Sequence, residues 1–314
     1  MVKLLGVGIM IVGLKNYKMI RTKQIKRADL ILCADMHIRE TIPICRTDDY
    51  EQAQWKKLDF ISELQRKHEC SVLHAGDLFH HWKPSPELLS KTIQHLPKKF
   101  YSVYGNHDLP QHNMELISKC GLYTLEQAEK LNVPTFNKIF NIQLVSWNML
   151  PFKNNDDILV WHVFTWIKKE PFPGCSQTTA TCLLRKYPQY QLIVTGDNHR
   201  PFVEQYKGRL LVNPGSMMRM DANQETHRPR VYLWYAETNT VEPVYLPIED
   251  NVISREHLDV IKARDERMEA FVSRLNLEGI YSVGDTIEER LRVFENLNKI
   301  HGSIMKIVYK SLDK

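Results

Sequence analysis

The chain has 314 residues, of which 43% are hydrophobic and 25% are charged. These proportions are typical of an ordinary globular protein and exclude a disordered chain. The formal net charge is +5, but residues 1–27 carry seven basic and no acidic side chains, and residues 249–314 carry 13 acidic and 11 basic ones. Residues 28–248 are therefore neutral overall, so charge alone does not indicate a basic binding face there.

Cysteine spacing and the N-terminal segment limit the cellular setting. The six cysteines include no C-x-x-C pair, which disfavours a zinc ribbon or a redox motif, and we expect free thiols in the reducing cytoplasm. An apolar run from Leu4 to Leu14 is too short to span a bilayer, and no small-residue cleavage site follows it. We expect residues 1–27 to be an extension outside the fold, with a membrane-surface anchor as the alternative.

The first half of the chain alternates between strands and helices. Apolar runs predict strands at 30–33, 72–75 and 100–104, and patterns of helical spacing predict helices at 49–69 and 84–96. Such alternation predicts parallel strands with helices packed outside them. The carboxyl ends of parallel strands lie at one edge of the sheet, where ligand sites of open α/β sheets collect.

The second half is richer in strands. We predict strands at 139–147, 158–163 and 192–195, a helix at 178–186, and hairpins at 202–212 and 231–246. Strands without intervening helices suggest a second, more antiparallel sheet. Residues 249–314 differ again, with apolar residues at helical spacing over 258–275 and 286–298. Two interpretations of this tail stay open: a helical cap packed on the core, or an apolar face that binds a partner.

Five predicted strands end in Asp, Asn or His. The residues are Asp35 and His37; Asp77 and His80; Asn106, His107 and Asp108; His162; and Asp197 and His199. A single Gly-Asp turn or a single loop histidine is usually structural, but an ordered series of five is not explained in that way. A carboxylate with two free oxygens can bridge two divalent cations. The series therefore predicts a site for two cations around Asp77.

These motifs resemble a known superfamily. With Gly-Asn-His-Asp at 105–108, the chain looks like a calcineurin-like metallophosphoesterase. GDLFH at 76–80 and Pro-Ser-Pro at 84–86 are similar to the SbcD-type nuclease subunit of double-strand-break repair. The resemblance covers about residues 28–248 and implies an α/β fold, a two-sheet sandwich flanked by helices, with a C-terminal helical appendage. We therefore expect an extension at 1–27, a nuclease domain at 28–248, and a helical cap or partner-docking region at 249–314.

The resemblance also implies a role for each side chain. Asp35, His37 and His199 would hold the first metal, Asp77 would bridge, and Asn106, His162 and Asp197 would hold the second. His107 would protonate the leaving oxygen or stabilise the transition state, Asp108 would orient the His107 ring, and His80 would help to place the scissile phosphate. Two bound cations supply an activated water and neutralise the phosphoryl oxygens.

One position departs from the family pattern. The family usually has Gly-His-x-His where this chain has Gly196, Asp197, Asn198 and His199. Replacing a neutral imidazole by an anion favours hard metals, so we expect Mn²⁺, with Mg²⁺, Fe²⁺ or Zn²⁺ as alternatives. The segment 213–216 resembles a family turn near the site, and we expect it to give structural support.

Three functions stay open. The first is a metal-dependent DNA exonuclease or endonuclease of DNA repair, recombination or replication. For this function, the resemblance to SbcD-type subunits implies an SbcC-type, SMC-like coiled-coil ATPase as partner and a possible homodimer. We expect no stable membrane association. The second is a general metallophosphoesterase acting on phosphoproteins or nucleotides. The third is a non-catalytic subunit that binds DNA ends or a partner. The intact ligand set and His107 argue against the third.

Overall fold

The computed structural model describes residues 26–132, 141–152, 155–277 and 302–312, together with residues 289, 291, 292 and 295. The predicted extension up to residue 25 and most of the predicted helix at 286–298 lie outside the described residues. In the part of the chain that is described, no helix combines the length and apolarity needed to cross a membrane.

The described residues form ten strands and several helices. The strands are β1 Leu30–Cys33, β2 Ser71–His74, β3 Phe100–Ser102, β4 Ile142–Val145, β5 Ile158–Trp161, β6 Leu192–Thr195, β7 Phe202–Tyr206, β8 Arg209–Asn213, β9 Arg230–Tyr235 and β10 Thr240–Tyr245. The helices are α1 Tyr50–His68, α2 Pro86–His95, α3 Gly121–Gln127, α4 Ala180–Lys186, α5 Glu256–Leu277 and α6 Gly302–Leu312.

The strands form two five-stranded sheets. The first has the order β10-β9-β1-β2-β3, and β1, β2 and β3 are parallel, as predicted. The second has the order β4-β5-β6-β8-β7. Together with the flanking helices, the two mixed sheets make the predicted α/β sandwich.

The prediction of a more antiparallel second sheet is wrong. In that sheet β4, β5, β6 and β8 are parallel, and only the hairpin partner β7 is antiparallel. Helix α4 carries the chain across from β5 to β6, as parallel neighbours require. The β9–β10 hairpin joins the first sheet instead, where β9 pairs antiparallel to β1.

Alternation along β1 shows how the layers are filled. Leu30 and Leu32 pack into the apolar layer between the two sheets. Ile31 and Cys33 point to the opposite face, where they pack with Leu58 of α1. Because both faces of β1 are covered, all four of its residues are buried and apolar, as in a central strand of a parallel sheet. The carboxyl ends of the strands are left free for loops.

Helix caps set where these loops end. Asp49 accepts a hydrogen bond from the Gln52 N–H at the start of α1, and Glu69 closes the helix in the left-handed conformation. Ser85 accepts from the Leu88 N–H at the start of α2, with Pro86 in the first turn. Both caps are ones that the residue types favour. Residues 75–85 therefore form the loop between β2 and α2, at the carboxyl end of β2.

The tail begins with contacts to the sandwich and then leaves it. The Thr47 N–H donates to the Val252 carbonyl, and the Ser254 N–H donates to the Cys45 carbonyl. Helix α5 follows, and residues 259–270 are all exposed, with Ile261 43% and Met268 56% exposed. This stretch of α5 is therefore not packed on the core.

Candidate metal centre

Loops that follow five strands meet at one edge of the sandwich. The loops after β1 and β2 are joined by backbone hydrogen bonds. The backbone N–H groups of Asp35, His37 and Ile38 donate to the backbone carbonyls of Gly76 (3.0 Å), Asp77 (3.0 Å) and Leu78 (2.8 Å), respectively. These bonds continue the parallel pairing of β1 and β2 beyond the strands. Side chains of the two loops are therefore held in a fixed register.

A first group of potential ligand atoms comes from Asp35, His37 and His199. These atoms all lie within 4.8 Å of one another. The Nε2 atoms of His37 and His199 are 3.1 Å apart. Two nitrogens each about 2.1 Å from one ion and at right angles would be about 3.0 Å apart. Asp35 Oδ2 is buried without a hydrogen-bond partner, so this oxygen is available to bind a cation. The donors suit one cation.

Asp77 lies between this group and a second one. Its Oδ2 is 3.6 Å from Nε2 of His37 and 3.6 Å from Nε2 of His162. Its Oδ1 accepts a hydrogen bond from the His107 N–H at 2.9 Å, which orients the carboxylate. One oxygen of Asp77 is thus equally distant from imidazole nitrogens of two different loops, which is a placement that suits a bridging ligand.

The second group contains potential ligand atoms of His162, Asp77 and Asp35, which also lie within 4.8 Å of one another. His162 Nε2 is 3.0 Å from Asn106 Oδ1. The other ring nitrogen, Nδ1, donates to the Ala75 carbonyl at 2.7 Å. This bond fixes the tautomer and leaves Nε2 as a ligand. Sequence reasoning missed Ala75, because a backbone carbonyl carries no side-chain signal.

Asp197 meets the site chiefly through its backbone. Its N–H donates to Asp35 Oδ1 at 3.0 Å. Among the described residues, neither of the two groups above includes the Asp197 carboxylate. Its charge is nevertheless close, because it adds to the effect of burial in raising the pKa of Asp35. The backbone N–H of Asp197 thus fixes the position of the Asp35 carboxylate.

The predicted supporting turn contacts two residues of the first group, Asp35 and His199. Asn213 Nδ2 donates to the carbonyls of Asn198 (2.6 Å) and Arg200 (2.8 Å), on either side of His199. The Ser216 N–H donates to the His199 carbonyl, and the Met217 N–H donates to the Asp35 carbonyl. Segment 213–217 therefore fixes the backbone of Asp35 and the backbone around His199.

Four predicted ligands have left-handed backbone conformations. The φ angles of Asp35, His37, Asp77 and Asp197 are 48°, 46°, 58° and 71°. Such conformations cost on the order of 1–3 kcal/mol each and concentrate at functional sites. Tight packing adds to the constraint at Gly105, where a Cβ would come closer than 3.0 Å to Asp77 Oδ1. The ligands are thus held by surrounding structure.

His107, predicted to act on the leaving oxygen, and His80, predicted to place the phosphate, are partly exposed at the rim of the site. The His107 ring is 4.8 Å from the His37 ring, and it stacks on His80 at 5.3 Å. His107 Nδ1 donates to the His80 carbonyl at 2.9 Å. This bond leaves Nε2 free to exchange a proton. Burial lowers the pKa of His80 to about 4, so His80 is neutral at neutral pH.

The structure gives Asp108 a different role from the predicted one. Its carboxylate accepts backbone N–H bonds from Leu78 (3.2 Å), Phe79 (3.0 Å) and Gly105 (3.0 Å). The His107 ring instead uses the His80 carbonyl. Asp108 is fully buried, and three amides can satisfy it without an imidazole. It therefore ties the loop after β2 to the loop after β3.

The electrostatics of the site favour cations. Burial raises the pKa of Asp35 and of Asp77 well above the usual aspartate range. Burial lowers the pKa of His37 well below the usual histidine range. The ionised form of a buried carboxylate is destabilised when its neighbours are neutral imidazoles. Bound divalent ions would supply the positive charge that stabilises it. The donor set and the unpartnered oxygen of Asp35 fit such ions.

The fold and site together define a candidate metalloprotein built on an α/β sandwich. Residues 29–234 match the family described as calcineurin-like phosphoesterase superfamily domain. The chain belongs to this superfamily, whose members use divalent metals.

Solved structures are similar at low identity. One is a novel archaeal phosphodiesterase, 12% identical with a TM-score of 0.39, covering 69% of this chain and 99% of that one. Another is a putative 5′-nucleotidase from Staphylococcus aureus, 14% identical with a TM-score of 0.43, covering 76% and 58%. A third is a metallophosphoesterase from Sphaerobacter thermophilus, 12% identical with a TM-score of 0.37, covering 70% and 89%. A search of curated proteins gives no match.

Proposed function

We propose that the protein is a two-metal phosphodiesterase that hydrolyses DNA, as a nuclease subunit in DNA repair, recombination or replication. The observation that carries the phosphodiesterase part is the position of Asp77 Oδ2, 3.6 Å from the imidazoles of His37 and His162. A carboxylate oxygen that is equally close to imidazoles of two loops is suited to bridging a pair of divalent ions. Asp35, His199 and Asn106 complete the groups.

The residues around the ions have distinct tasks in this proposal. His107 offers Nε2 to the leaving oxygen, because Nδ1 is bound to the His80 carbonyl. His80 packs on His107 as a neutral ring and lines the place of the phosphate. Bound divalent ions would supply an activated water and offset the phosphoryl charge. Mn²⁺ is our choice of metal, since buried carboxylates dominate the charge of the site.

The nuclease part of the proposal is supported by the GDLFH and Pro-Ser-Pro strings. In the fold His80, the last residue of GDLFH, stacks on His107. Phe79 forms a bridge with Ile38 and donates its N–H to Asp108, and Ser85 caps α2. The GDLFH segment at 76–80, itself in the loop after β2, thus contacts the loops after β1 and β3.

A coiled-coil ATPase is the partner that we propose for the tail. Helix α5 has 22 residues, or about 33 Å at 1.5 Å per residue, and it exposes Val260, Ile261 and Met268. Apolar side chains on an exposed helix suit a coiled-coil partner. The root of α5 is bound to the Cys45–Thr47 segment, which follows the loop of His37.

The test compares three substrates with added Mn²⁺: a linear DNA duplex, bis(p-nitrophenyl) phosphate and p-nitrophenyl phosphate. We expect hydrolysis of the DNA and of the diester, and loss of both in Asp77→Asn. Hydrolysis of the monoester alone would remove the nuclease proposal and favour a general phosphoesterase. No hydrolysis of any substrate, with two metals bound, would favour a non-catalytic binding subunit.

A further inference from the structure

Three histidines at the rim form a third group of potential ligand atoms. One ring nitrogen from each of His37, His80 and His107 lies within 4.8 Å of the other two. The first and second groups contain aspartates, whereas this three-histidine group contains no carboxylate. Imidazole nitrogens suit Zn²⁺, Ni²⁺ or Cu²⁺, while carboxylate oxygens suit Mn²⁺ and Mg²⁺. The three-histidine group therefore differs in metal preference from the two groups beside it.

The spacing of the three rings suits one tetrahedral ion. The ring centroids lie 4.8 Å apart for His37 and His107, 5.3 Å for His80 and His107, and 5.6 Å for His37 and His80. With Zn–N bonds of about 2.1 Å, each imidazole centroid lies about 3.2 Å from the ion, and tetrahedral angles then place the centroids about 5.3 Å apart. The observed spacings lie on either side of this value.

Ring nitrogens in this group lack hydrogen-bond partners. His37 Nδ1 and His80 Nδ1 are both buried without a partner among the described residues, and His37 is only 1% exposed. His107 uses Nδ1 to donate to the His80 carbonyl, which leaves a lone pair on Nε2. Buried polar atoms without partners are uncommon in folded proteins. A bound cation is a partner that such nitrogens accept.

The protonation state and the surroundings of the rings also favour a cation. Burial lowers the pKa of His37 well below the usual histidine range and the pKa of His80 to about 4. Both rings are therefore neutral at neutral pH, which is the form that binds metals. The Asp77 carboxylate, 3.6 Å from His37 Nε2, supplies negative charge that offsets the nearby Arg39. His80 and His107 are partly exposed, so an ion can enter from solvent.

We propose that His37, His80 and His107 form a third metal site, which binds Zn²⁺ in preference to Mn²⁺ and inhibits the enzyme when it is occupied. Coordination of Zn²⁺ would use the lone pair of His107 Nε2, so His107 could not carry a proton to the leaving oxygen. It would also engage His37, a candidate ligand of the first cation. The inhibitory effect rests on the proposed function, whereas the metal site itself does not.

The first test compares the binding of two metals to the metal-free full chain by isothermal titration. We expect His80→Ala to weaken the binding of one Zn²⁺ equivalent by at least about tenfold, since even groups that only support a ligand contribute about 10- to 100-fold. The Mn²⁺ isotherm should equal that of wild type, because His80 belongs to neither of the groups with carboxylates. His81→Ala, at the exposed neighbouring position, is the matched control and should bind both metals normally.

A second measurement identifies the ligands in the wild-type chain, so it does not depend on the folding of a variant. Long-range proton–nitrogen NMR spectra of the nitrogen-labelled chain record the imidazole nitrogens directly. Zn²⁺ should shift the ring nitrogens of His80 and His107. Mg²⁺, which prefers carboxylate oxygens, should leave both sets of signals in place.

The inhibitory effect is measured on DNA hydrolysis with Mn²⁺ in excess, and each protein is compared with its own rate without Zn²⁺. The Zn²⁺ concentration for half inhibition should be at least about tenfold higher in His80→Ala than in wild type, in line with the expected loss of Zn²⁺ affinity. His81→Ala should be inhibited at the wild-type concentration.

The outcomes separate this inference from the proposed function. A wild-type Zn²⁺ isotherm in His80→Ala, or unmoved signals of His80 and His107, overturns the inference and leaves the nuclease proposal as it stands. Equal inhibition of wild type and His80→Ala shows that Zn²⁺ acts through the first two groups, and it also overturns the inference. Shifted signals and weaker Zn²⁺ binding in His80→Ala, with no cleavage of DNA by wild type, support the third site and contradict the nuclease proposal.

Discussion

His162 Nε2 and Asn106 Oδ1 are 3.0 Å apart although 56 residues separate them in sequence. Asn106 follows β3 of the first sheet, and His162 follows β5 of the second. The candidate metal centre therefore joins the carboxyl ends of both sheets. Ions held there would connect the two halves of the sandwich, so metal binding should be coupled to folding.

We expect Mn²⁺ to raise the melting temperature of the metal-free protein, and Asp77→Asn to abolish that effect. A ligand that binds only the folded state stabilises it by about 2.7 kcal/mol at 100 times its Kd. Burial raises the pKa of Asp77, because the charged form lacks a compensating cation. The metal-free Asp77→Asn protein should thus be at least as stable as wild type at pH 7.

Calorimetry with and without Mn²⁺, together with metal analysis, checks this expectation. Asp59→Asn removes an exposed carboxylate that pairs with His95, and it should keep the wild-type response to Mn²⁺. A full Mn²⁺ response in Asp77→Asn would show that Asp77 is not a bridging ligand.

His107→Ala should slow hydrolysis of DNA, whose alkoxide leaving group must take up a proton, by about 10²- to 10⁴-fold, the usual contribution of a general acid. Its metal content should equal that of wild type, because His107 is not assigned as a ligand. His81→Ala removes an exposed histidine and serves as the control. Steady-state kinetics and metal analysis are the measurements, and an unchanged kcat in His107→Ala would contradict the assigned role.

Gly105→Ala should displace Asp77 and weaken metal binding. A Cβ at this position would lie closer than 3.0 Å to Asp77 Oδ1 and to the Asp77 backbone nitrogen, and backbone cannot rotate away as a side chain can. We expect at least a tenfold loss of Mn²⁺ affinity by isothermal titration, about 1.4 kcal/mol. Gly302→Ala, where nothing lies within 4 Å, is the control. Wild-type affinity in Gly105→Ala would mean that the loop after β3 can move.

His74→Gln should reduce the loss of stability in acid. His74 is buried on β2 beside Ser102, and burial lowers its pKa to about 3. The unfolded chain takes up a proton near pH 6.5 and the folded chain does not, so stability falls as pH drops from about 6.5 towards 3. From pH 6.5 to 5 the wild type should lose about 1.6 kcal/mol more than the variant, because the unfolded histidine is already half protonated at pH 6.5.

Urea unfolding of both metal-free proteins at several pH values tests this expectation. Other buried groups are common to the two proteins and cancel in the difference. Parallel stability curves for wild type and His74→Gln would show that His74 titrates normally in the folded state.

Local chemistry in the sequence determined much of the site. Strand ends carrying Asp, Asn and His were recognisable because apolar runs stop at these residues, and parallel strands β1, β2 and β3 place their carboxyl ends at one edge. Helical spacing predicted helices at 49–69 and 84–96, and the structure has α1 at Tyr50–His68 and α2 at Pro86–His95. Periodicity is a property of neighbouring residues, so no fold was needed to find these helices.

Tertiary structure decided which strands became neighbours and which groups support the ligands. The β9–β10 hairpin pairs with β1, because a hairpin can extend any open sheet edge and its own residues do not choose between edges. The Ala75 carbonyl binds His162, and Asp108 binds backbone amides. Every residue carries such backbone donors and acceptors. Only the approach of distant chain segments decides which of them become partners.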